Sequence, residues 1–128
     1  MIPVRCWLLI LAHIFVFSLS SYASSGAPTL NIAMVLWRGE TKAEAGFKAG
    51  LEELGYSVNY SNFDAGQDLK KLGLMFHDIS QNIERYDYIY TFGTTVSRRA
   101  KVIINERVPQ IFNAVTDPVE AGIAGSSA

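Results

Sequence analysis

Gly93, Thr94 and Thr95 stand where an apolar run ends and a helical pattern begins. A glycine lets the backbone turn sharply or approach a ligand closely. A helix start offers free N–H groups with partial positive charge, and the two threonines add hydroxyls. Together these suit a carboxylate or another small anion. The same hydroxyls can instead cap the helix, a role that contributes about 1 kcal/mol by itself. Spacing alone leaves both readings open.

Thr116 and Asp117 raise the same question one apolar run later. Asp117-Pro118-x-Glu120 has the residues of a helix start, with Asp as cap and Pro at the first helical position. Capping is the role the sequence favours for Asp117; it could also accept a hydrogen bond from a ligand ammonium group, and Thr116 could do either. Trp37 follows the first apolar run, Leu30–Leu36. An aromatic at that place can stack on a flat ligand or pack its own loop. Arg98 and Arg99 read as a solvated helix face. Asp64 reads as a turn residue.

Other chemistries lack their residues. No G-x-S-x-G elbow, G-x-x-x-x-G-K-[ST] loop or G-x-G-x-x-G fingerprint occurs. A phospho-acceptor receiver domain would need an aspartate at the end of its third strand, where Phe92-Gly93 stands. The chain has 2 histidines and 1 cysteine, and a zinc site needs three or four ligands. His77 therefore reads as a polar helix position. The formal net charge is -1, which gives no electrostatic footprint for nucleic acid. The expectation is a protein without catalytic residues, cofactor or metal.

The N-terminus is a separate object. Arg5 precedes an apolar stretch, and Ser21-Tyr22-Ala23 places small residues at the -3 and -1 positions of a cut after Ala23. This is the pattern of a secretory signal peptide over residues 1–23. The apolar run is shorter than the ~20 residues of a membrane-spanning helix, so an uncleaved anchor is the weaker alternative. Cys6 belongs to the leader, and the mature chain needs no disulfide. Residues 24–29 form a small, polar tether, and residues 30–128 form the domain.

That domain must position the loop residues, and its pattern alternates. Leu30–Leu36 reads as a strand covered on both faces. Thr41-x-x-Glu44 is a capping box, followed by a helix burying Ala43, Phe47, Leu51 and Leu54 and ending at Gly55. Ser57–Asn62 reads as a second strand with Val58 and Tyr60 on one side. A second helix covers roughly Asp68–Glu84, buried through Leu69, Leu72, Phe76, Ile79 and Ile83. Asp87–Phe92 is the third strand. Val96, Ala100, Ile103 and Ile104 mark the third helix, Gln110–Val115 the fourth strand, and Asp117 opens a fourth helix. This alternation specifies an α/β fold with a doubly wound parallel sheet. Ligands of such sheets bind beyond the carboxyl ends of the strands, where strand order reverses. With the flavodoxin-like order 2-1-3-4, that point lies between the first and third strands, beside Trp37 and Gly93–Thr95.

Three segments carry a resemblance to a known family. "GFKAGLEELGY" (Gly46–Tyr56), "YIYTFGTTVSRRA" (Tyr88–Ala100) and "PQIFNAVTDPVEAGI" (Pro109–Ile123) resemble the ABC-transporter substrate-binding proteins of the tryptophan/tyrosine-binding type. The Val-Thr-Asp-Pro-Val segment is the most specific, and the Gly-Thr pair comes next. The resemblance runs over Leu30–Ile123 and implies the type I periplasmic-binding fold. It further implies an exported, non-enzymatic receptor that delivers a small-molecule solute, often an aromatic amino acid, to an ABC permease in the inner membrane. Carried over by motif, Gly93, Thr94 and Thr95 would line the ligand cleft, with Thr116 and Asp117 on its neighbouring edge. Trp37 has no assigned counterpart. Family members have two lobes, and their chain crosses to the second soon after Thr-Asp-Pro. This sequence reads as an N-terminal lobe alone, with weak or no solute binding of its own. It would also leave an open sheet edge. Two other readings stand beside it: the sensor domain of a signalling protein, and a fragment of an exported α/β enzyme.

Overall fold

Leu30–Leu36 forms strand β1, the most deeply buried strand of the sheet. Its apolar residues face both ways, which demands cover on both sides. The computed structural model, which describes residues 26–125, supplies it. The expected leader, its cut after Ala23 and Cys6 lie outside the described residues.

Helix α1 (Lys42–Glu53) starts at the expected capping box: Thr41 Oγ1 accepts the Ala43 N–H, and Glu44 reaches back to the Thr41 N–H. Strand β2 (Val58–Asp64) follows, two residues longer at its end than the alternation indicated. Helix α2 (Leu69–Gln81) is capped by Asp68, whose Oδ1 accepts from Lys70 and Lys71. The helix stops short of Glu84 because Asn82 leaves helical geometry (φ -119°, ψ 29°). Its side-chain amide bonds the Asp78 carbonyl, and Ile83–Arg85 continues as one 3₁₀ turn. Strand β3 (Tyr88–Phe92), helix α3 (Thr94–Ile104) and strand β4 (Gln110–Asn113) complete the described elements.

The four strands are all parallel, in order β2-β1-β3-β4. The flavodoxin-like arrangement read from the sequence is the one found. In a parallel sheet the residues aligned across strands share a face. Ala33 and Ile89 therefore point one way with Val35, against Leu72, Phe76 and Ile79 of α2 and Val96, Ala100 and Ile104 of α3. Ile32, Met34, Leu36 and Tyr90 point the other way, where Phe47 and Leu51 of α1 cover them. Among the described residues β4 pairs only with β3, so it forms an edge.

Several expectations are corrected. Leu69, expected on the buried face of α2, stands in the first turn and is 54% exposed. The buried face of α1 does not reach Leu54, which is the C-cap, past the last helical residue, and is 74% exposed. The one fully buried side chain of α1 is polar: Glu44. The fourth helix is not formed either. Asp117 does cap a turn, with Oδ1 accepting from Val119 and Glu120. That turn closes at once, because Gly122 sits at φ 69° and its N–H bonds the Val119 carbonyl while Ile123 N–H bonds Pro118. This is a Schellman closure, with Ile123 buried behind it. A cap and a terminator five residues apart leave room for a single turn. Strand β4 also ends early, because Ala114 adopts φ 54°, outside the strand region.

Candidate functional site

The loops at the carboxyl ends of β1, β2 and β3 enclose a cleft of about 220 Å³. Trp37 and Arg38 come from the loop after β1, Gln67 from the loop after β2, and Phe92–Val96 from the β3–α3 junction. This is the switch point of the sheet, between β1 and β3. Trp37, Gly93, Thr94 and Thr95 are thus brought together.

Backbone ties fix the floor. Asp64, the last residue of β2, accepts the N–H groups of Gly39 and Gly66 on one oxygen, each at 2.9 Å. A single carboxylate therefore clamps the loops after β1 and β2 to each other, the turn role expected of it. The Gly66 N–H is the main reason its carboxyl is held below the usual range. Desolvation opposes it, and the Gly39 N–H and nearby Lys71 add to the lowering. Gln67 donates its backbone N–H to the Trp37 carbonyl at 2.8 Å. The Trp37 ring packs on the core while lining the cleft, so loop packing and cleft lining coexist in this residue.

Gly93 opens α3 at φ 89°, ψ 155°, a region essentially reserved for glycine. Its N–H bonds the Asn113 carbonyl at 2.9 Å, which anchors the junction to β4. No side chain caps α3. Neither threonine therefore takes the capping role. Thr94 Oγ1 instead accepts the Thr116 N–H at 3.3 Å, and Thr95 is exposed. An uncapped helix start facing a cleft presents donors and positive potential to whatever enters it. Arg38, from the loop after β1, adds a positive charge to the lining.

Thr116 meets the cleft only through that contact with Thr94. Asp117 does not line it, and its carboxylate is engaged by its own turn. Sequence reasoning missed Arg38, Gln67 and Phe92. Arg38 and Phe92 adjoin residues already singled out, and adjacency was a usable signal. Gln67 enters through a φ of 63° that nothing in its residue type announces.

A polar network on the α1 side of the sheet was also missed. Glu44, 0% exposed, accepts the Tyr90 hydroxyl at 2.9 Å on Oε1 and the Thr41 N–H at 2.7 Å on Oε2. Asn113 donates Nδ2 to the Tyr90 oxygen at 3.3 Å. Phe47 stacks on the Tyr90 ring at 4.7 Å. Burial pushes the Glu44 carboxyl up, but its hydrogen bonds from Thr41, Tyr90 and its own backbone outweigh this and leave it below the usual value. Burial pushes the Tyr90 phenol up to about 12; the Asn113 hydrogen bond opposes this, and the hydrogen bond and charge of Glu44 add to it. No group of three or more His, Cys, Asp or Glu able to hold a metal occurs among the described residues.

No family model matches the sequence, and no curated protein matches it. Solved structures do match. A ligand-free, open substrate-binding protein with adhesive properties from Clostridium difficile superposes with a TM-score of 0.66 at 21% identity, over 76% of this chain and 34% of that one. A conserved domain protein from Vibrio cholerae gives 0.63 at 22% identity, over 77% and 35%. An ABC domain from Streptococcus pneumonia in complex with L-Trp gives 0.65 at 20% identity, over 77% and 35%. The chain spans about a third of the length of each. The fold is that of the N-terminal lobe of a type I periplasmic-binding protein.

Proposed function

We propose that this chain is a solute-binding lobe of an ABC importer's receptor, and that it receives the carboxylate of an amino acid at the start of α3. The observation that carries the reading is the uncapped helix start at Gly93, opening into a cleft at the switch point of a parallel sheet. Thr94 and Thr95 supply hydroxyls, Arg38 supplies charge, and Trp37 and Phe92 supply apolar walls for a side chain. The L-Trp bound to the pneumococcal neighbour supports an aromatic amino acid as the first solute to try. Binding and release are the whole task; no covalent step is required of these residues. The leader-like residues 1–23 support export to the periplasm, where an inner-membrane permease would be the partner.

The test is calorimetric titration of the full chain with L-Trp. A single lobe touches one side of a ligand, so affinity near the millimolar range, about -4 kcal/mol, is expected. Arg38→Ala and Trp37→Ala each weaken it several-fold. Heat of binding that both variants leave unchanged rules out this cleft. Asp117→Ala leaves affinity unchanged, since its carboxylate is committed to its own turn.

A further inference from the structure

Three groups lie in series on the α1 side of the sheet: Glu44 on α1, Tyr90 on β3 and Asn113 at the end of β4. Hydrogen-bond chemistry gives that series a direction. A phenol has one proton to donate. Tyr90 gives it to Glu44 Oε1, so the contact from Asn113 must be a donation to the phenol oxygen. Asn113 therefore turns Nδ2 toward Tyr90. That leaves its Oδ1 to accept the Ala114 N–H, at 2.7 Å. Ala114 holds a left-handed φ of 54°, costly for a residue with a Cβ. Two residues on, the Thr116 N–H reaches Thr94 Oγ1 in the cleft wall.

We propose that Glu44 is a positioning residue for the cleft: as an obligate acceptor it sets the direction of the Tyr90 and Asn113 hydrogen bonds, and so holds Ala114–Thr116 in place against Thr94. Its burial supports a positioning role. Among the described residues no cation pairs with it, yet every buried polar side-chain atom is satisfied. The capping box accounts for Oε2, which takes the Thr41 N–H and hydroxyl; Oε1 is left to the Tyr90 proton, and a buried acceptor holds its donor's direction. The inference rests on the cleft reading only for its consequence; the series itself is independent of any ligand.

The experiment follows amide hydrogen exchange of the full chain, without ligand, in Glu44→Gln and Tyr90→Phe. A glutamine presents an amide donor where the carboxylate oxygen stood, which opposes the Tyr90 proton and favours the reversed series. Tyr90→Phe removes the middle member and keeps the ring that packs on Phe47. In each variant, protection at Ala114 and Thr116 is expected to fall about tenfold, while Val35 in β1 keeps its own. The double variant is expected to lose no more than either single one, because both break the same series. Unchanged Ala114 and Thr116 amides in Tyr90→Phe overturn the proposal. So does an equal loss at Val35, which would make Glu44 a general stability residue. L-Trp binding does not enter this readout, so failure of the cleft reading and failure of the series are separable.

Discussion

Gly93 holds a backbone conformation that no other residue of the junction would tolerate. A Cβ there meets nothing within 4 Å, so the cost of replacement is conformational. Gly93→Ala is expected to destabilise by about 1–3 kcal/mol, measured by urea unfolding. Two further residues set pH limits. The Tyr90 phenol is raised from 10.0 to about 12 by burial and by Glu44. Its contribution is complete below pH 10 and disappears as pH rises toward 12. The Glu44 carboxyl is lowered from 4.5, so its contribution is complete above that value and is lost as pH falls below it. Melting temperature against pH should therefore fall at both ends, and Tyr90→Phe should remove the alkaline step between 10 and 12. Gly93, Thr94 and Trp37 were legible because glycine, hydroxyl and indole each announce a capability. Glu44 was legible only as half of a capping box. Its second role depends on Tyr90, 46 positions away in sequence, and no local pattern links them.

The elements were legible wherever a local signal closed them. Thr41-x-x-Glu44, Asp68 and Gly55 fixed ends of α1 and α2, because each acts on its own backbone neighbours. The missing fourth helix shows the limit of reading one end alone. Asp117 and Pro118 start a turn, and Gly122 stops it before a second can form. The caps give a contrast that tests the site as well. Thr41→Ala removes a hydroxyl cap and should cost about 1 kcal/mol. Thr95→Ala, at a helix with no side-chain cap, should change stability by less than about 0.5 kcal/mol. Chemical denaturation of both variants checks this. An equal loss in the two would return Thr95 to the capping role that the geometry denies it.

At the scale of the molecule, the sheet has two unequal faces. Among the described residues one is sealed by α2 and α3, and the other is covered by α1 alone. Phe76, fully buried on the sealed face, should cost about 3–5 kcal/mol when truncated to alanine. Leu54→Ala, at a site 74% exposed, should be nearly silent in the same unfolding series. The strand order was legible in advance because strand–helix alternation and right-handed crossovers leave few topologies. What was not legible is which loop residues meet across the sheet. That depends on register and on backbone angles such as those of Gln67 and Ala114, which no periodicity encodes. The open start of α3 is proposed as the place where a solute carboxylate binds. The most direct test is to follow backbone amides of the full chain by NMR while L-Trp is added. The largest shifts are expected at Thr94, Thr95 and Val96, with the Trp37 indole moving alongside. Saturable shifts confined to other loops, or none at millimolar L-Trp, would contradict it.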